Sequence, residues 1–163
     1  MPFRGRAFAR PLQTSTKRKK SKTYNAKLVF KMKASQSSLY REIENLMIWF
    51  IPVGNNIPKD FALRQLGERM LNEMTDALTA CNLALQTKDL GQRLELINLV
   101  KLHMTTVQSV SKVFVEFSSR EGNVRRIISQ KQRAALIKMM ASIGSQIARW
   151  ANSTESALHT ALN

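Results

Sequence analysis

The sequence contains few of the residues on which most enzymes and secreted proteins depend. It has one cysteine and two histidines in 163 residues. Because Cys81 is alone, it cannot form an internal disulfide, and nothing points to an oxidising compartment. His103 and His159 lie far apart, and neither has a cysteine or carboxylate at metal-ligand spacing. A glycine-rich phosphate loop is also missing. These absences predict a protein that is not an enzyme and that needs no metal or other cofactor.

Long apolar runs are missing as well. The longest, 46-LMIWFIPV-53, is too short to cross a membrane and is interrupted by Pro52. The N-terminus is basic but lacks the apolar stretch of a secretory signal. We therefore expect no membrane partner.

Acidic residues are absent from the first part of the chain. Residues 1–38 contain eleven Lys or Arg and no Asp or Glu, in a chain of net charge +15. Residues 39–163 hold the other fifteen basic and all eleven acidic residues. A block of like charge resists folding and commonly binds polyanions. We predict that residues 1–37 form a basic, disordered arm, and its densest candidates for nucleic-acid contacts are Lys17, Arg18, Lys19, Lys20 and Lys22.

Helical periodicity covers most of the remaining chain. Apolar residues recur three and four positions apart in four segments, at about 38–51, 58–87, 90–117 and 129–153. Ser37 or Ser38 can cap the first helix, and Pro52 is expected to end it. Asp89 is expected to cap the third helix.

The fourth segment opens with a capping box formed by Ser129 and Gln132. Residues 154–163 are expected to be a frayed tail. Four amphipathic helices with short connections predict an up-down-up-down four-helix bundle over residues 38–153. The predicted fold class is therefore all-α.

Basic residues also cluster on the predicted bundle. Arg64 and Arg69 flank Gly67, and two further clusters comprise Arg125 with Arg126 and Lys131 with Arg133. Cations in the first turn of a helix oppose its dipole, at about 0.3–1 kcal/mol each. These residues are our candidates for phosphate contacts, although solubility is an alternative reason for them. Since no aromatic residues are interleaved, binding should follow the nucleic-acid backbone, with weak sequence preference.

Two runs resemble one known family. The run 58-PKDFALRQLGERMLNEMTDALTACNLA-84 is similar to the second helix of the accessory variability determinant proteins of diversity-generating retroelements. The family's Pro-Lys pair and its Arg-x-x-Leu-Gly or similar run correspond here to Pro58, Lys59, Arg64, Gln65, Leu66, Gly67, Glu68 and Arg69, with one residue rather than two between the arginine and the leucine. The run 129-SQKQRAALIKMMASIGSQIARWANS-153 resembles its last helix. Ile143, Gly144 and Trp150 match there, whereas Ala148-Arg149 replaces the family's glycine-containing pair.

This resemblance, over about residues 38–153, implies more than the residues alone. It implies a ring-like homopentamer with a basic surface, located in the cytoplasm of a prokaryotic or phage system. The protein would bind a reverse transcriptase and its structured template RNA, and so support mutagenic cDNA synthesis without an active site of its own. We also hypothesise that Gly67 and Gly144 let neighbouring helices approach closely.

Two alternatives remain open. One is a stand-alone nucleic-acid-binding bundle of the ribosome- or ribosomal-RNA-associated type, which acts through its cationic arm. The other concerns the start of the chain, because translation from Met32 would give a length closer to that of the family. Deletion of residues 1–31 separates a bundle that binds its partners from an arm that does the binding.

Overall fold

Four helices account for nearly all of the residues that the structure describes. The computed structural model describes residues 37–120 and 126–162. Its helices are α1 (Ser38–Gly54), α2 (Phe61–Gln86), α3 (Leu90–Ser119) and α4 (Gln130–Leu162). Within these ranges there is no β-strand. The all-α prediction is therefore confirmed.

The helices pack in a closed square. The backbones of α1 and α3 each approach those of both α2 and α4, whereas neither diagonal pair has a close backbone approach. α2 and α3 are antiparallel, since Ser111 of α3 meets Met70 of α2, whereas His103, earlier in α3, meets Glu73, later in α2. α3 and α4 are antiparallel as well, because residues 98–108 lie beside residues 140–152 and residues 108–116 beside residues 133–141. The end of α1 lies beside the start of α2. This is the predicted up-down-up-down four-helix bundle.

Side-chain caps begin each helix where the sequence predicted them, or close by. Ser37 accepts a hydrogen bond from the Tyr40 amide, at 3.5 Å. Asp89 accepts one from the Gln92 amide at 2.7 Å. Asp60 caps α2 in the same way, so that helix begins at Phe61 rather than at Pro58. These caps satisfy amides that have no partner within the helix.

The capping box of α4 is confirmed in both directions. Gln132 donates its backbone N–H to Oγ of Ser129 at 3.2 Å, and the Ser129 N–H donates to Oε1 of Gln132 at 2.8 Å. Its geometry fixes the first turn of the most basic helix.

Two helix ends differ from the prediction. Pro52 does not end α1, which continues to Gly54. Proline removes the hydrogen bond to the carbonyl of Ile48, but Ile48 is exposed and water can satisfy that carbonyl. α4 runs on to Leu162 rather than ending near residue 153, and Thr154 is buried within the predicted tail. Its hydroxyl donates to the carbonyl of Trp150, one turn earlier.

The core consists of aliphatic side chains and methionines from all four helices, closed at one end by two aromatic rings. Phe50 of α1 and Phe114 of α3 are both buried, with ring centroids 6.2 Å apart. This separation lies in the favourable range for aromatic pairs. The two rings connect helices that have no backbone contact of their own.

The glycine hypothesis is wrong in its detail. Gly67 is buried, but the atom that approaches it is Cδ1 of Ile57, in the α1–α2 connection, which would lie 2.7 Å from an added β-carbon. Gly144 is exposed, and no described atom outside its own helix segment lies within 4 Å of the position of its missing β-carbon. Neither glycine therefore permits close packing of two helices within this chain.

Candidate nucleic-acid interface

Part of the predicted interface lies outside the described residues. This applies to the arm candidates Lys17, Arg18, Lys19, Lys20 and Lys22, and to Arg125 between α3 and α4. Their roles stay predictions. The interface can be built only from the bundle cations.

Charge is divided unequally between the two halves of the bundle. Residues 37–88, which include α1 and α2, carry five basic and six acidic residues. Residues 89–162, which include α3 and α4, carry ten basic and five acidic residues. No acidic residue occurs between Glu121 and Glu155. The basic side of the bundle is therefore the side of α3 and α4.

The two candidate arginines of α2 lie on the other half. Arg64 and Arg69 are exposed, but α2 is diagonal to α4, and the two helix backbones do not approach each other closely. Nε of Arg69 lies 3.5 Å from Oε1 of Glu73, one turn further along the helix. The structure therefore does not bring these arginines onto the surface formed by α4.

Arg126 is held in place by the residues that follow it. Ile127 and Ile128 are buried, and both of their backbone amides donate to Oγ of Ser118 near the end of α3, at 3.0 and 3.2 Å. This anchors the connection onto α3. Arg126 and Arg133 then line one polar pocket at the N-terminus of α4.

Lys131 and Arg133 do not share a face, although they are close in sequence. Two residues are about 200° apart around an α-helix. Arg133 lines the groove between α3 and α4. Lys131 therefore projects from the other side of α4, away from that groove.

The helix geometry instead aligns Lys131 with two cations that the sequence analysis did not select. Lys138 and Arg149 follow it by seven and eighteen residues, which are close to two and five whole turns. All three are exposed. We call these three residues the α4 basic row; its steps measure about 10 and 16 Å along the axis. The acid-free run between Glu121 and Glu155 was the sequence signal that could have revealed it.

Three side chains with reactive groups, Cys81, Tyr40 and His103, are buried, partly buried or hydrogen-bonded within the bundle. Burial raises the pKa of the Cys81 thiol to about 12, which keeps it protonated and unreactive. The pKa of Tyr40 is raised, chiefly by burial and to a smaller extent by negative charge at Glu44 and Cys81. His103 bonds to Glu73 across α2 and α3. In the described part of the chain, no three metal-binding side chains come together.

No protein-family model, curated protein or solved structure shows a significant match to this chain. Among the described residues, no helix is long and apolar enough to cross a membrane. The fold and surface define a class, a four-helix-bundle protein with one basic side. Membership of the retroelement family remains a prediction from the two sequence runs.

Proposed function

We propose that this protein is a non-catalytic scaffold that binds structured RNA along α4. The observation that carries the proposal is the α4 basic row, three exposed cations on one face of a helix. Phosphate contacts from Lys and Arg release counterions and need no base-specific chemistry. On the family resemblance, the RNA is the template of a diversity-generating retroelement. The protein partner is then its reverse transcriptase, and the role is support of mutagenic cDNA synthesis.

Assembly into a homopentamer is part of the proposal. Large apolar side chains stay exposed on the single chain, including Phe61 at 79%, Ile48 at 64% and Leu102 at 59%. Exposed apolar surface favours association. Light scattering on residues 32–163 tests this point: five times the monomer mass is expected, and a clean monomer or dimer contradicts the pentamer.

The RNA-binding proposal is tested by paired charge variants. One protein carries Lys131, Lys138 and Arg149 as Gln, and its matched control carries Arg41, Lys59 and Lys88, from the other half, as Gln. Both lose three exposed cations. Fluorescence anisotropy with a labelled RNA hairpin should show a much weaker affinity for the first protein only. Equal losses in the two proteins would mean that charge alone, rather than the α4 basic row, determines binding.

A second function is favoured by the eleven cations of residues 1–38. On that reading the arm binds nucleic acid and the bundle serves only to associate copies. Removal of residues 1–31 should leave most RNA hairpin affinity intact if the α4 basic row binds it. Nearly complete loss would favour the arm and a stand-alone nucleic-acid-binding protein. A co-expressed reverse transcriptase should still co-purify with the shortened protein if the retroelement role is correct.

A further inference from the structure

Three adjoining depressions follow the outside of the bundle between α3 and α4, and neighbouring ones share lining residues. Together they extend from Arg126 and Ser119 at one end to Asn98 and Asn152 at the other. Between residues 98 and 119, α3 rises about 30 Å. We call this surface the α3–α4 groove. It is long enough for about 20 residues of a helix laid along it.

The α4 side of the groove carries a stripe of small residues. Ala141, Gly144, Ala148 and Ala151 line it at alternating steps of three and four, which places them on one helix face. Ile137 extends this face by one further turn and is 58% exposed. The apolar atoms below them come from the core residues Leu136, Met140 and Ile143. Small residues let another backbone approach to the short interaxial distances of well-packed helices.

Gly144 is the informative member of this face. Glycine is among the least favourable residues inside a helix, and Gly144 lies near the middle of α4. Within the described chain, no atom outside its own helix segment would touch an added β-carbon. The fold therefore gains nothing from the missing side chain. A backbone that approaches from outside would gain by it.

The rim of the groove is positively charged. Lys101 and Lys112 on α3 and Arg133 on α4 line it, with Glu116 as the acidic residue among the lining side chains. An occupant that matches this surface has an apolar or small-residue stripe with carboxylates on its flanks. RNA has the charge but not the apolar stripe, and the cationic residues 17–22 of this chain have the wrong charge.

We propose that the α3–α4 groove is a docking site for an acidic amphipathic α-helix of a partner protein. The helix lies along the groove, with its stripe over Gly144 and its carboxylates toward Lys101, Lys112 and Arg133. This is the helix-in-groove mode of recognition. The proposal is independent of RNA binding by the α4 basic row, because that row projects from the other side of α4.

The test is a selection from a displayed library of peptides, each about 20 residues long, the length that fills the groove as a helix. The full-length protein is the target. Peptides that bind should be amphipathic, rich in Glu and Asp, and helical by circular dichroism when bound. Enrichment of basic or non-helical peptides, or the absence of binders, would overturn the proposal.

Matched variants localise the binding. Gly144→Leu fills the groove and should weaken the selected peptides by at least about tenfold, equivalent to about 1.4 kcal/mol. Ser145→Leu adds similar bulk one residue away, outside the groove, and should leave affinity within about twofold. The thermal midpoint of Gly144→Leu should equal or exceed that of the unchanged protein, because the site is open and leucine favours helix.

Charge reversal and assembly complete the test. Lys101→Glu with Lys112→Glu should weaken acidic peptides and leave RNA hairpin affinity nearly unchanged. If RNA hairpin affinity falls instead and peptide affinity does not, the groove is a nucleic-acid surface. If Gly144→Leu dissociates an oligomer of the unchanged protein, a second copy occupies the groove. Either result would overturn the partner-helix proposal.

Discussion

Nδ1 of His103 lies 2.8 Å from Oε2 of Glu73 and joins α3 to α2. The other oxygen of the same carboxylate lies 3.5 Å from Nε of Arg69. Both side chains of the interhelical pair are mostly buried, with 23% and 17% of their surface exposed. One carboxylate therefore holds a partner on its own helix and one on the next. This contact fixes the register of the two helices.

Removal of either partner should reduce stability. We expect His103→Ala to lower the free energy of unfolding by about 1 kcal/mol, because Glu73 loses its interhelical hydrogen bond in a partly buried site. Urea unfolding of His103→Ala, Glu73→Ala and the double variant measures the coupling. A coupling of about 0.5 kcal/mol or more is expected. Additive effects would mean that the contact is not formed in solution.

Gly67 and Ile57 should be energetically coupled. Gly67→Ala gains about 1 kcal/mol of helix propensity. The new β-carbon would, however, lie only 2.7 Å from Cδ1 of Ile57, so that side chain has to move. The two effects oppose each other, so the single variant should be close to neutral. In an Ile57→Ala background the obstruction is gone, and Gly67→Ala should stabilise the protein. Thermal unfolding of the four proteins decides this, and an equal effect of Gly67→Ala in both backgrounds would contradict it.

Cys81 should make the protein less stable at high pH. Burial raises the folded-state pKa from its ordinary value of 9.0 to about 12. Between these values the unfolded chain releases the proton and the folded protein keeps it, so stability is fully present below pH 9 and is lost as pH rises toward 12. The Cys81→Ala variant has no thiol to ionise, so its stability lacks this pH dependence. The difference in unfolding free energy between the two proteins should therefore shift in favour of Cys81→Ala above pH 9.

Chemical modification gives a second measurement on the same thiol. Iodoacetamide at pH 8 should leave the folded protein unmodified over a time in which the urea-unfolded chain reacts completely, because the thiolate is the nucleophile. Rapid reaction of the folded protein would show that Cys81 is more accessible than its full burial indicates.

The α4 basic row should appear in the salt dependence of RNA binding. Each phosphate contact with single-stranded nucleic acid contributes about 0.7 to the slope of log K against log salt. Replacement of Lys131, Lys138 and Arg149 by Gln should therefore reduce that slope by about 2. Affinity for an RNA loop measured at several salt concentrations gives the slope. An unchanged slope would show that these residues do not contact phosphate.

Much of the fold follows from local sequence signals. The helical periods, the Asp89 cap and the Ser129–Gln132 box predicted where α3 and α4 begin, because caps depend on residues only three positions apart. The end of α1 was missed because proline is tolerated where the freed carbonyl reaches water, and exposure is a property of the packed structure. The site was less predictable, since Lys131 and Arg133 are neighbours in sequence but not in space.

The sequence by itself determined the number of helices, their type and the excess of positive charge, because periodicity and composition are carried by the chain alone. The tertiary structure decided which cations share a surface. Packing chooses the face of each helix that turns inward, and so it separated Arg64 and Arg69 from α4 and aligned Lys131 with Lys138 and Arg149. It also decided that Gly67 lies under Ile57, whereas the position of the missing β-carbon of Gly144 stays open.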